Sequence, residues 1–173
     1  IPSDAAIAIP RGALIDVSAA SAVAGNAGSA IVFAGTNLDV ASGAVFRGTA
    51  GTSGDGAFLE LSARQTVTLG AVDVDLSARD GKAGLLYIDP TDIVIGTGGS
   101  ASMITNGTNV SLEATNKITI LGDGIIDTRQ FNRNNGELSA LNPTTGNSGN
   151  ITLTAPNIEI RGKLLAGVSS GSG

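Results

Sequence analysis

The stretch Gly149-Asn150-Ile151-Thr152-Leu153-Thr154-Ala155-Pro156-Asn157-Ile158-Glu159-Ile160 carries the reading of the fold. Ile151, Leu153 and Ala155 alternate with Thr152 and Thr154; beyond a Pro-Asn corner, Ile158 and Ile160 alternate with Glu159 and Arg161. Successive side chains of a strand point to opposite faces, so each run is a short, half-buried strand. The same two-strand unit recurs along the chain. Its second strand reappears at 36–40, 65–69, 91–95 and 116–120, and its first at 31–33, 59–61, 86–88 and 110–112. With Leu38, Val67, Ile93, Ile118 and Ile158 as anchors, the spacings are 29, 26, 25 and 40 residues. Three cluster near one period, and the fourth carries an insertion.

A third, less regular strand follows in each coil, clearest at Val72-Asp73-Val74-Asp75-Leu76 and weaker at Ala44-Val45-Phe46 and Ile125-Ile126. Three short strands per coil of about 25 residues, joined by Gly, Asn and Asp corners rather than by helices, suit a chain that winds on itself. Stacking equivalent strands about 4.8 Å apart pairs each with its copy in the next coil and turns the inward residues into aliphatic ladders. The pattern therefore predicts an all-β fold, a parallel β-helix of about six coils and roughly 30 Å, in which each coil touches only its neighbours. Leu38, Val67, Ile93, Ile118, Ile151, Leu153, Ile158 and Ile160 are expected inside. Corners such as Gly54-Asp55-Gly56 and Gly122-Asp123-Gly124 are expected to use positive φ.

Composition agrees and excludes other classes. Of 173 residues 42% are hydrophobic but only 3% aromatic, so the core is aliphatic, and Gly supplies 25 residues for corners. There is no Cys and no His, which removes disulfides, thiolate metal sites and His-dependent catalysis. A net charge of -5 without any basic run argues against a nucleic-acid or anionic-membrane partner. The uncharged stretch 17–38 is interrupted by Ser, Gly and Asn and is not expected to insert in a membrane. The chain opens Ile1-Pro2-Ser3-Asp4, with no initiator Met and no signal-peptide pattern. It reads as one β-helix segment over residues 1–173, a piece of a longer rod, because neither end offers a capping helix.

Two coils, 146–160 and Gly84-Leu85-Leu86-Tyr87-Ile88-Asp89-Pro90-Thr91-Asp92-Ile93-Val94-Ile95, resemble those of filamentous haemagglutinin-like exoproteins, and the similarity extends over residues 13 to 165. This resemblance implies a right-handed parallel β-helix exported through the outer-membrane transporter of a two-partner system in Gram-negative bacteria. It also implies a secreted or cell-surface adhesin that contacts a host-cell receptor or a surface or matrix glycan. The Asn-Pro-Asn-Gly type signature of the family's secretion domain is missing, so the likeness is to the shaft. Autotransporter passengers share the architecture.

Candidate sites follow from the departures from the repeat. Asp73 and Asp75 leave one strand face about 7 Å apart, a separation compatible with paired glycosidase carboxylates or the start of a calcium site. The plain alternative is two solvated charges, with Phe46 and Ile126 in the aligned positions. Residues 51–59 hold one copy of a calcium-binding nonapeptide pattern that binds metal only in arrays. The sequons at Asn106, Asn109 and Asn150 arise readily by chance in Asn- and Thr-rich corners. Outward Thr at 66, 68, 119, 152 and 154 is too interrupted for a flat ice-binding array. The insertion 128–149 is the feature that the repeat does not require. It places Arg129, Phe131 and Arg133 in a loop, with Phe131 outside any strand, and these three are the candidate ligand-binding residues. No catalytic residue, metal or cofactor is expected. The leading expectation is a structural and adhesive segment; the alternatives are a polysaccharide-binding or polysaccharide-cleaving β-helix enzyme and a passive spacer.

Overall fold

The computed structural model describes residues 4–96, 101–134, 137–143 and 148–167. Among the described residues there are nineteen strands and no helix. Sheet A contains β1 (Ile7–Ile9), β4 (Asn37–Val40), β7 (Thr66–Leu69), β10 (Asp92–Ile95), β13 (Lys117–Ile120) and β18 (Asn157–Ile160). Sheet B contains β2 (Leu14–Asp16), β5 (Val45–Arg47), β8 (Val72–Asp75), β11 (Ala101–Ile104), β14 (Gly124–Asp127) and β19 (Lys163–Leu165). Sheet C contains β3 (Ser29–Ala34), β6 (Phe58–Ala63), β9 (Leu85–Asp89), β12 (Asn109–Glu113) and β17 (Ile151–Thr154). The chain passes from A to B to C and back to A, and all pairing within the three sheets is parallel, between equivalent strands of adjacent coils. This is a parallel β-helix.

Sheet A shows why the anchors recur. Ile7, Leu38, Val67, Ile93, Ile118 and Ile158 stand in one register column, and Ile9, Val40, Leu69, Ile95, Ile120 and Ile160 in a second. All five sequence anchors pair as expected, and Ile7 adds a sixth coil. Leu38, Val67, Ile93 and Ile118 are fully buried. Ile158 and Ile160 are not: they are 44% and 47% exposed, and Ile151 and Leu153 are only half-buried. These four sit in the final described coil, where a neighbour covers one side only.

The three corners differ. Those from A to B and from C to A are short, whereas the corner from B to C carries every long excursion. Each B-to-C corner, including the tight one at 105–108, is closed by the same backbone bond: Gly28 N–H to Val17 O, Ala57 N–H to Gly48 O, Gly84 N–H to Leu76 O, Thr108 N–H to Thr105 O, and Gly149 N–H to Thr128 O. The insertion 128–149 is therefore the longest of five connections at one corner, not a singular break in the repeat. The first three excursions stack flat on one another, with Gly25 N–H donating to Ser53 O and Gly54 N–H to Asp80 O. Gly54 there has φ +131°, while Gly56 is needed for space: a Cβ would lie 2.0 Å from Leu76 O. Gly122 has neither requirement, contrary to the expectation for its corner.

Candidate functional site

Five aromatic residues exist in the sequence, and their placement is uneven. Phe46 is a core residue of β5, and Phe131 begins β15 (Phe131–Asn134), whose side chains lie outside the described residues. The other three, Phe33, Phe58 and Tyr87, stand on the outer face of sheet C. Register places them there. Ala30, Leu59, Leu86, Val110 and Ile151 form one inward column and Val32, Leu61, Ile88, Leu112 and Leu153 another, so the intervening residues must point out. Ile31 at 64% and Phe33 at 39% exposure are apolar residues turned to solvent by this alternation. The Phe58 and Tyr87 rings lie in adjacent coils, stacked with centroids 6.5 Å apart and planes at 27°.

Carboxylates surround the rings. Glu60 pairs in register with Ile31 and Tyr87, and Asp89 with Ser62. Glu113 follows Leu112, the partner of Ile88, and so stands beside Asp89. The Tyr87 hydroxyl donates to Glu113 Oε2 at 2.8 Å and lies 3.4 Å from Asp89 Oδ2. Its hydrogen bond to Glu113, partial burial and the two negative charges hold the phenol pKa well above its ordinary 10.0. Ser62 Oγ donates to Glu60 Oε1 at 2.8 Å. Among the described residues none of these three carboxylates forms an ion pair; the ion pairs described are Lys117 and Arg161 with Glu159, and Arg129 with Asp127. The face thus combines flat apolar surface with three acceptor-only charges.

The chain matches no family model, and no curated protein or solved structure matches it.

The residues singled out by sequence fall elsewhere. Arg129 lies on the B-to-C corner, where Nε and a terminal nitrogen grip Asp127 Oδ1 at 2.9 Å and Oδ2 at 2.6 Å. This fork holds a carboxylate that is itself 5% exposed at residue level. Phe131 and Arg133 are on β15, which pairs antiparallel with β16 (Glu137–Pro143), so Phe131 is in a strand and the insertion contains a hairpin. Of their side chains, as of those of Leu138 and Leu141, nothing is described. Asn135-Gly136 between the two strands is the dipeptide that tight hairpins favour, a signal available in the sequence.

Asp75 is not a solvated charge, and Asp73 is half-buried. Asp75 is 3% exposed, its Oδ1 accepting from Ser77 Oγ at 2.6 Å and its Oδ2 from Asn106 Nδ2 at 3.0 Å. It pairs in register with Arg47, which pairs with Asp16, so the aligned residue is an arginine rather than Phe46. Alternation correctly turned Asp75 away from the core, but the neighbouring corner folds over it. Asn106 is thereby buried, and its amide is engaged. Asp55, the acid of the nonapeptide-like stretch, accepts the Lys82 N–H at 2.8 Å. No group of three or more metal-ligating acids occurs among the described residues.

Proposed function

We propose that this chain is a non-catalytic, structural and adhesive segment of a secreted or surface-attached bacterial exoprotein. The observation that carries the reading is the gathering of Phe33, Phe58, Tyr87 and the exposed Ile31 on one outward face of a register-locked stack. A β-helix holds such a face rigid without an ordering cost at the moment of contact. Non-catalytic character is supported by the engagement of Asp75, the best carboxylate candidate, in hydrogen bonds to Ser77 and Asn106. The resemblance of residues 84–95 and 146–160 to haemagglutinin-like coils supports the exported setting and a host-cell receptor or a surface or matrix glycan as partner.

The test is adhesion of beads coated with the full chain to cultured epithelial cells and to extracellular matrix. Coated beads are expected to adhere above blank beads, and the double variant Phe33→Ser, Tyr87→Ser is expected to lose most of that. The hairpin is tested separately by replacing 130–148 with one Gly, which keeps Arg129 on Asp127 and copies the two-residue corner Asn106-Gly107. Absence of adhesion, or adhesion unaffected by both changes, would overturn the reading.

A further inference from the structure

We infer that the outer face of sheet C is a docking surface for an extended basic polypeptide segment, bound through its Lys and Arg side chains. The inference rests on the adhesive reading above and names the chemistry of the partner. Glu60, Asp89 and Glu113 bring three negative charges to three successive coils, and no described cation pairs with them. Strand stacking spaces their strands by about 4.8 Å per coil, so the charges run for about 10 Å along the rod beside the Phe58 and Tyr87 rings.

Charge and donor inventory select among occupants. A carboxylate only accepts hydrogen bonds, and an aromatic face attracts cations. An ammonium or guanidinium satisfies both at once, while the aliphatic stem of Lys or Arg covers apolar surface such as Ile31 and Phe33. An anionic glycan would meet three like charges. A neutral glycan could donate hydroxyls to these carboxylates but would leave three negative charges uncompensated, and it would find few donors, since Tyr87 already donates to Glu113 and Ser62 to Glu60. A second copy of this chain brings its own three carboxylates to a face-to-face contact and a net charge of -5. Complementarity therefore points to a cationic partner.

The probe is a labelled ten-residue peptide of alternating Lys and Ser, titrated with the full chain at low and at physiological salt by fluorescence anisotropy. Binding is expected at low salt and to weaken steeply as salt rises. The triple variant Glu60→Gln, Asp89→Asn, Glu113→Gln is expected to weaken it more than tenfold, and Phe58→Leu with Tyr87→Leu several-fold. A charge-matched control, Asp4→Asn, Asp39→Asn, Asp80→Asn, removes three exposed acids elsewhere and is expected to change affinity less than twofold. Thermal melts confirm folding of each variant. Equal weakening by the control, no peptide binding, or Tyr87-dependent binding of neutral oligosaccharides in place of the peptide would overturn the inference. Cell adhesion that survives such a failure would leave the adhesive reading standing without this partner.

Discussion

Replacing Ile118 and Ile158 by Ala in separate variants should produce very unequal losses, although both residues occupy the same register column. Each change removes three carbons, about 2.4 kcal/mol of transfer free energy at roughly 0.8 kcal/mol per methylene. Ile118 is fully buried between Ile93 and Ile158, so a cavity adds to that and the total should reach about 3 to 5 kcal/mol. Ile158 is 44% exposed, which scales its transfer loss to about 1.3 kcal/mol, and water fills the space without leaving a void. Coil count points the same way: Ile118 serves two coil interfaces and Ile158 one among the described coils. Urea unfolding followed by circular dichroism measures both midpoints, with the slope checked against the parent to ensure that the same surface unfolds. Losses equal within about 0.5 kcal/mol, the usual additivity error, would refute the placement of these residues in the ladder.

Tyr87 is the chain's only tyrosine, so tyrosinate absorbance titrates it alone; native ionisation should lie above pH 10.0, and Glu113→Ala should pull it back down. Because the folded value is raised, its contribution to stability is complete below the unfolded value and is lost as pH rises through the folded one; an ordinary native titration would contradict the Glu113 contact. Hydrogen bonds and ion pairs from Lys117 and Arg161 lower the Glu159 pKa from 4.5, so the stability they give is present above that range and lost as pH falls through the folded value. Glu159→Gln should accordingly lower the melting temperature slightly at neutral pH and low salt, with no difference at acid pH; a difference that persists in acid would assign Glu159 another role. Gly56→Ala should be severely destabilising because its Cβ meets the Leu76 carbonyl, whereas Gly122→Ala, with nothing within 4 Å, should be silent in a thermal melt.

Sheet A was legible because each of its strands carries two inward aliphatics one residue apart, with a polar or small residue between them in all but Ile93-Val94-Ile95. The strands of sheet B were harder. Several have a single buried apolar residue, as Phe46 in β5 and Ile126 in β14, too little for a periodic signal. Burial of Asp75 could not be read from alternation, which reports only the direction of a side chain relative to the core. Its cover comes from Asn106, 31 residues away, on a corner whose shape depends on an Asn106 φ of 42° and a Gly107 φ of 83°. The aromatic face was hidden for a different reason. Phe33, Phe58 and Tyr87 are far apart in sequence, and only the register of sheet C shows that they share a side. Asn135-Gly136 signals the hairpin, but the preceding Phe131-Asn132-Arg133-Asn134 holds a single apolar residue, too few to show a strand period.

Every site described above is positioned by the in-register stack, and interspin distances test that stack most directly. Asp39, Thr68, Val94 and Thr119 form one outward column of sheet A. Spin labels placed pairwise at Thr68 and Val94, Thr68 and Thr119, and Asp39 and Thr119 should give separations that grow in equal steps of about 4.8 Å per coil. Separations that fail to increase with coil number, or a Thr68 to Val94 pair farther apart than Thr68 to Thr119, would contradict the parallel β-helix and the faces it creates.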